Sequence, residues 1–295
     1  MNVLLKPESV LLFAAVLWGL GWMPLHHFAD LGLSGMPVVL ATYGLLCGLA
    51  IPVLLWQRQA WWQQRWGLFA IGVLGGFGTG GLVGALSEGD VVRVMLLFYL
   101  APVWGLLGGW LALGEKLSAE RLLALGLAML GIALTLGLSR DTFKPLTGAD
   151  WLALVAGFAF AMNNLVTRAA DQVPLASKSV VAFLGSAAVG AVFCLLQSTP
   201  LPPMSLALWG QVLGFGLFWL VAMATAQYGF SHVEIGRASV LVVVELVVAV
   251  ITSAWFGDRE MGMREWCGGA LVTLAAVLAA RPPRVNSQQS CEVNP

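Results

Sequence analysis

The chain alternates long apolar runs with short polar joints. The runs cover about residues 9–28, 35–56, 66–86, 91–113, 119–138, 150–169, 179–198, 206–230, 235–256 and 263–280. Each is close to the length of about 20 residues that a helix needs to cross the hydrocarbon core of a bilayer. The pattern predicts ten transmembrane helices. Several joints carry helix-end signals. Thr147-Gly148-Ala149-Asp150 has the form of a capping box opening the sixth run. Ser118 with Glu120 close behind suits the start of the fifth, where an acid complements the helix dipole. Pro200, Pro202 and Pro203 interrupt the chain before the eighth. The first run is too long for a signal peptide and no clear small-x-small site follows it, so it is expected to stay as a helix.

Composition leaves one broad class standing. Hydrophobic residues make up 59% of the 295 and charged residues 10%, against about 25% charged in a soluble domain. The mean hydropathy is +0.86. Soluble, disordered, collagen-like and disulfide-scaffold readings fall together, and a polytopic membrane protein with little outside the bilayer remains. Fifteen Lys+Arg balance fifteen Asp+Glu, so there is no basic excess to bind nucleic acid. Cys47, Cys194 and Cys267 lie in apolar runs and Cys291 in the tail, with no Cys-x-x-Cys. No metal site and no cofactor are indicated. No Gly-x-x-x-x-Gly-Lys-Ser/Thr loop is present, so neither direct ATP binding nor an ATPase subunit is implied. The absence of His-Glu-x-x-His and Gly-x-Ser-x-Gly removes most support for an enzyme.

Orientation follows from the basic residues in the joints. With the N-terminus inside, Lys6, Arg58, Arg65, Lys116, Arg121, Arg168, Lys178, Arg237, Arg281 and Arg284 face the cytoplasm. Arg93, Arg140, Lys144, Arg259 and Arg264 face outward. This asymmetry predicts cytoplasmic N- and C-termini. Trp61, Trp62, Trp66, Trp151 and Trp209 near run ends read as an interfacial aromatic belt.

The two halves resemble each other at an offset near 143 residues. Trp66-Gly67 returns as Trp209-Gly210, Gly114-Glu115-Lys116 as Gly257-Asp258-Arg259, and Gly126 as Gly269. The chain divides into a first five-helix repeat (1–145), a second (146–281) and a polar tail (282–295) expected to be disordered and cytoplasmic. An odd repeat places its second copy upside down, the layout of secondary transporters with a site near the midplane between the halves. Pro102, then twelve residues, then Glu115, with Gly126 downstream, resembles the EamA-type repeat of the drug/metabolite transporter superfamily. Phe98-Tyr99-Leu100-Ala101-Pro102 followed by Gly-Glu-Lys is similar to the YddG-type amino-acid exporters. The resemblance implies two inverted five-helix repeats around a central cavity, lined mainly by spans 1, 3, 4, 6, 8 and 9. It also implies export of amino acids, aromatic ones included, across a bacterial inner membrane. The chain departs from the family at one place: the second-half partner of Pro102, usually also Pro, is Glu245.

Glu245 sits about ten residues into its run, among Val242, Val243, Val244, Leu246, Val247 and Val248. An ionisable group at that depth is costly and marks a functional candidate. It could bind an ammonium or carry a coupling proton, or simply hydrogen-bond to a neighbouring helix. Tyr99 precedes Pro102 by three residues and shares its face. Pro102 removes a backbone donor and can kink the span as a hinge. Trp18 and Trp22 stripe one face of the first helix. Phe160, Asn163 and Asn164 in span 6, Trp219 and Gln227 in span 8, and Thr79 in span 3 complete the candidate cavity lining. For the amides, interhelical bonding competes equally with cavity lining. Gly72, Gly76, Gly80 and Gly84 form a small-residue face for close helix packing, and also for sliding.

The expected activity is alternating-access export of amino acids of broad type, by a protein in contact with lipid and small solutes only. A monomer is expected, since the halves already supply the pseudo-symmetric pair. Efflux of hydrophobic drugs or other metabolites is the first rival. A membrane enzyme or lipid-handling protein, and a channel, are the others.

Overall fold

The computed structural model describes residues 6–138, 145–256 and 262–281. The expected tail at 282–295 and the repeated Gly257-Asp258-Arg259 lie outside the described residues. Among those described there are helices and no strands. Ten helical spans among the described residues are long and apolar enough to cross a membrane. Spans 1 to 5 are Pro7–Asp30, Met36–Trp56, Arg58–Glu88, Val91–Leu113 and Ala119–Leu136. Spans 6 to 10 are Gly148–Ala169, Leu175–Leu196, Leu206–His232, Ile235–Phe256 and Met263–Ala280.

Local chemistry explains the ends. Thr147 Oγ1 accepts from the Asp150 N–H at 3.3 Å and Asp150 Oδ2 accepts from the Thr147 N–H at 2.7 Å, a complete capping box. Ser118 accepts from the Arg121 N–H at 3.3 Å. Span 3 starts earlier than its apolar run because a helical turn, Arg58–Trp61, and a 3-10 turn, Trp62–Gln64, lead into Arg65–Glu88. The Trp61 indole holds that turn against span 2 by donating to the Leu54 carbonyl at 2.9 Å.

Glycine sets the tightest packing. A Cβ on Gly72 would lie 3.1 Å from the Val181 carbonyl. On Gly76 it would strike the Gly185 backbone, on Gly80 the Val189 side chain, and on Gly84 the Phe193 ring at 2.9 Å. The two series rise together in steps of four, so spans 3 and 7 run parallel in register. A second row of Gly75, Gly78 and Gly81 meets Asn163, Phe160 and Ala156 of span 6, which therefore runs antiparallel to span 3. Small residues are what let helices approach in lipid, where van der Waals contact drives association.

Span 3 packs on spans 6 and 7, span 8 on 1 and 2, span 4 on 6, span 9 on 1, span 2 on 7, span 5 on 10, and span 4 on 9. Large apolar side chains cover the outside: Trp62, Trp66, Leu195, Leu206 and Trp255 are all exposed. Such a surface is untenable in water and suits a multi-pass membrane protein surrounded by acyl chains.

Candidate functional site

Spans 4 and 9 are each broken in the middle. Span 4 consists of Val91–Phe98 and Ala101–Leu113. Span 9 consists of Ile235–Leu241 and Val244–Phe256. The backbone ladder changes in the same way in both. The Tyr99 N–H bonds the Met95 carbonyl four residues back, then the Leu100 N–H bonds Leu97 and the Val103 N–H bonds Leu100, each three back. In span 9 the Val242 N–H bonds Ala238, then Val243 bonds Val240 and Leu246 bonds Val243. Both are local shifts from α to 3-10 pairing, a recurrent sign of a hinge or a site under strain. Pro102 accounts for the first, because it has no N–H to offer. The second has no proline, and Glu245 takes that place with its N–H bonded to Val242 at 3.0 Å.

The two breaks meet. Tyr99 Oη donates to Glu245 Oε1 at 3.0 Å. Around them Phe98, Ala101 and Pro102 of span 4, Phe160, Ala161 and Asn164 of span 6, and Ser239, Val242 and Val243 of span 9 line a void of about 20 Å³. That is room for about one water molecule. Glu245 is the only ionisable carboxylate in this lining, and the lining holds no base. Close approach is again glycine-dependent. A Cβ on Gly157 would lie 2.5 Å from the Phe98 carbonyl, and one on Gly19 of span 1 would lie 2.5 Å from the Glu245 carbonyl.

Of the candidates named from sequence, Tyr99, Pro102, Phe160, Asn164 and Glu245 come together at this void. Trp18 flanks it, edge-on to Phe160 at 5.7 Å, with a buried indole N–H that finds no partner. Asn163 is buried one position away; its Nδ2 donates to Asn164 Oδ1 at 3.3 Å and its Oδ1 is unpartnered, facing Gly75 of span 3. Trp22, Thr79, Trp219 and Gln227 do not line the void. The Trp22 indole donates to Thr252 Oγ1 of span 9 at 2.9 Å. Trp219 packs among Phe215 and Phe218 and against Gly21. Gln227 lies buried in span 8 with its Oε1 unpartnered. The Gly72, Gly76, Gly80, Gly84 face packs on span 7, away from the void.

Sequence reasoning did not single out Phe98, Ser239 or Ala161 as lining. Glu115 caps span 9: its carboxylate accepts the Ile235 N–H at 2.7 Å and the Gly236 N–H at 3.1 Å, with Arg168 at 3.7 Å. Arg121 bonds Glu234 at the same end. Lys178, fully buried, donates to the Thr167 carbonyl at 2.7 Å and to Ser231 Oγ at 2.9 Å. Also at this end, between spans 6 and 7, a hydrogen bond from the Gln64 amide holds the Asp171 carboxyl below its ordinary range. No sequence signal pairs Glu115 with residues 120 positions away.

Comparison with known proteins agrees with this architecture. The EamA-like transporter family model matches residues 5–137 and again 147–281. An uncharacterized transporter of Archaeoglobus fulgidus is 25% identical over 201 residues, covering 67% of this chain and 70% of that protein. An uncharacterized transporter of Pseudomonas aeruginosa is 27% identical over 173 residues, 56% of this chain and 55% of its own. A solved crystal structure shares the fold at a TM-score of 0.77 and 18% identity, covering 93% of this chain and 95% of that one.

Proposed function

We propose that this chain, which belongs to the EamA-like transporter family, exports amino acids of broad type, aromatic ones included, by alternating access through the junction of spans 4, 6 and 9. The observation that carries the reading is Glu245, a carboxylate held by Tyr99 where two broken helices meet beneath an aromatic wall. Its second oxygen is available to an ammonium group. Phe98 and Phe160 offer ring faces, and Asn164 and Ser239 offer donors to a carboxylate. Transporters typically bind solutes at such discontinuous helices near the midplane.

The void is far smaller than the about 300–1,000 Å³ of pockets that hold drug-sized ligands. As it stands the void has no room for such a solute, and loading requires spans 4 and 9 to part. An inverted arrangement of the halves, divided near 145, supplies two such openings. Its support is the contact pattern, which survives exchanging each span with the one five places later: 3 on 6 becomes 8 on 1, 3 on 7 becomes 8 on 2, and 4 on 6 becomes 9 on 1. Two packings related by that exchange are close in energy and open to opposite sides. The family matches to 5–137 and 147–281 support the same division. The surplus of Lys and Arg on one set of joints favours both termini in the cytoplasm of a bacterial inner-membrane protein, acting as a monomer.

A second reading has its own observation. A lining with one acid and no base suits an organic amine better than a zwitterion. Counterflow in proteoliposomes decides. Vesicles preloaded with one unlabelled amino acid receive its labelled form outside, and a parallel set uses the amine left by its decarboxylation. Transient accumulation of the amino acid supports the first reading. Accumulation of amines alone replaces it with the second, and no accumulation of either by folded protein overturns both.

A further inference from the structure

We infer that the two ends of the bundle are closed by a matched pair of arginine latches, Arg93 on Asp150 and Arg237 on Glu8, and that these arginines are positioning residues of the transport cycle. The inference rests on the alternating-access reading above. Arg93 is the third residue of Val91–Phe98, the first segment of span 4; Arg237 is the third residue of Ile235–Leu241, the first segment of span 9. Arg93 Nη2 lies 3.0 Å from Asp150 Oδ2, in the first turn of span 6. Arg237 Nη2 lies 3.0 Å from Glu8 Oε1, in the first turn of span 1. Each arginine also donates to backbone carbonyls after the fifth span of a half or in its last turn. Arg93 reaches Pro145 at 2.8 Å, and Arg237 reaches Ala279 at 2.7 Å and Ala280 at 3.0 Å. Arg93 and Arg237 are thus equivalent within one residue of the repeat offset, and each pair ties one half of the chain to the other.

Their placement gives them leverage. Spans 4 and 9 cross antiparallel, since Gly105 faces Ser239 and Gly109 faces Ile235. The two latches therefore lie at opposite ends of the bundle. Each sits on a short segment that ends at a break, residues 99–100 in span 4 and 242–243 in span 9. A segment free of its latch can swing about that break and uncover the void from its own end. With both latches made, as here, the void between them has room for about one water molecule. The ends are unequal. At the Arg237 end Glu115 caps the segment and Arg121 holds Glu234, whereas at the Arg93 end Asp90 caps through the Arg93 N–H at 3.0 Å.

Side-specific labelling tests the pair. The full chain, with its four cysteines replaced by Ser, carries Ser239→Cys as the reporter in the void, and a membrane-impermeant maleimide is applied from either face of membrane vesicles. Glu8→Gln is expected to raise the labelling rate about tenfold from one face only, and Arg93→Gln about tenfold from the opposite face only, within the range of ordinary coupling between sites. Glu8→Asp, which keeps a carboxylate for Arg237, is expected to label more slowly than Glu8→Gln. Labelling that rises from the same face in both variants, from both faces, or from neither overturns the latches, as does a Glu8→Asp variant as fast as Glu8→Gln. Labelling needs no solute, so one-faced opening without counterflow of any solute sinks the transport reading alone. Counterflow with unchanged labelling sinks the latches alone.

Discussion

The break in span 4 and the break in span 9 have the same backbone geometry and different causes. In span 4 the missing donor of Pro102 accounts for the change from α to 3-10 pairing. In span 9 every residue has its N–H, and the same change occurs around Val242-Val243. There its neighbours come close: Gly19 lets span 1 reach the Glu245 carbonyl, and Gly105 lets span 4 reach Ser239. A helix in this fold can thus break with a proline or without one. Where it breaks without one, the position that proline would occupy is free for a side chain with chemistry. Glu245 uses that freedom, and Tyr99 comes across from the other break to meet it.

Substitutions that make one break resemble the other sharpen this contrast. Glu245→Gln keeps the shape and a partner for Tyr99 but removes the charge. Losing one partner of a desolvated charge pair costs about 2–5 kcal/mol, so counterflow of an ammonium-bearing solute should fall thirtyfold or more with the melting temperature little changed. An equal rate, with equal pH dependence, would leave Glu245 a structural residue.

Gly105→Val gives span 4 the side chain that span 9 carries at Val248. It must displace Ser239, and overpacking of this kind costs about 1–3 kcal/mol. Thermal unfolding in detergent should show the loss. An unchanged melting temperature would mean that spans 4 and 9 can part at Gly105 without cost.

Tyr99→Phe removes the link between the breaks. A hydrogen bond is worth about 1 kcal/mol net, so solute affinity should weaken about fivefold, read as a rise in half-saturation without a matching fall in maximal rate. The smallest effect belongs to Pro102→Ala. The ladder at that point already runs by threes, so restoring one N–H should change stability by less than about 1 kcal/mol. A large loss of stability would show that the fold depends on the bend that Pro102 sets in span 4.

Much of this architecture is legible in the order of residues alone. Ten apolar runs predict ten spans, and Thr147 to Asp150 predicts the cap that opens the sixth; both are present in the fold. Those signals are local: twenty apolar residues must become a helix in lipid because no other conformation satisfies the backbone. Glu245 stands out for a related reason, as an acid among valines. Phe98, Ala161 and Ser239 do not, because an apolar or small residue in a span looks alike whether it faces lipid, a neighbour or a void. Arg93 and Arg237 read as loop charges for orientation, since Asp150 and Glu8, the acids that tie them to the other half, lie 57 and 229 residues away along the chain, whereas Glu234, 4.0 Å from Arg237, is a local partner.

The sequence by itself determined that the chain is a membrane-spanning helical protein, how many spans it has, and that a carboxylate and a tyrosine lie at mid-depth in two of them. Hydrophobic length and the cost of burying charge decide these within a single helix. Only the tertiary structure decided that Tyr99 and Glu245 touch, that span 9 breaks without a proline, that the Gly72 face serves span 7, and which acid each terminal arginine holds. Those are contacts between segments distant in the chain, and they follow from how closely glycine-bearing faces let the helices approach.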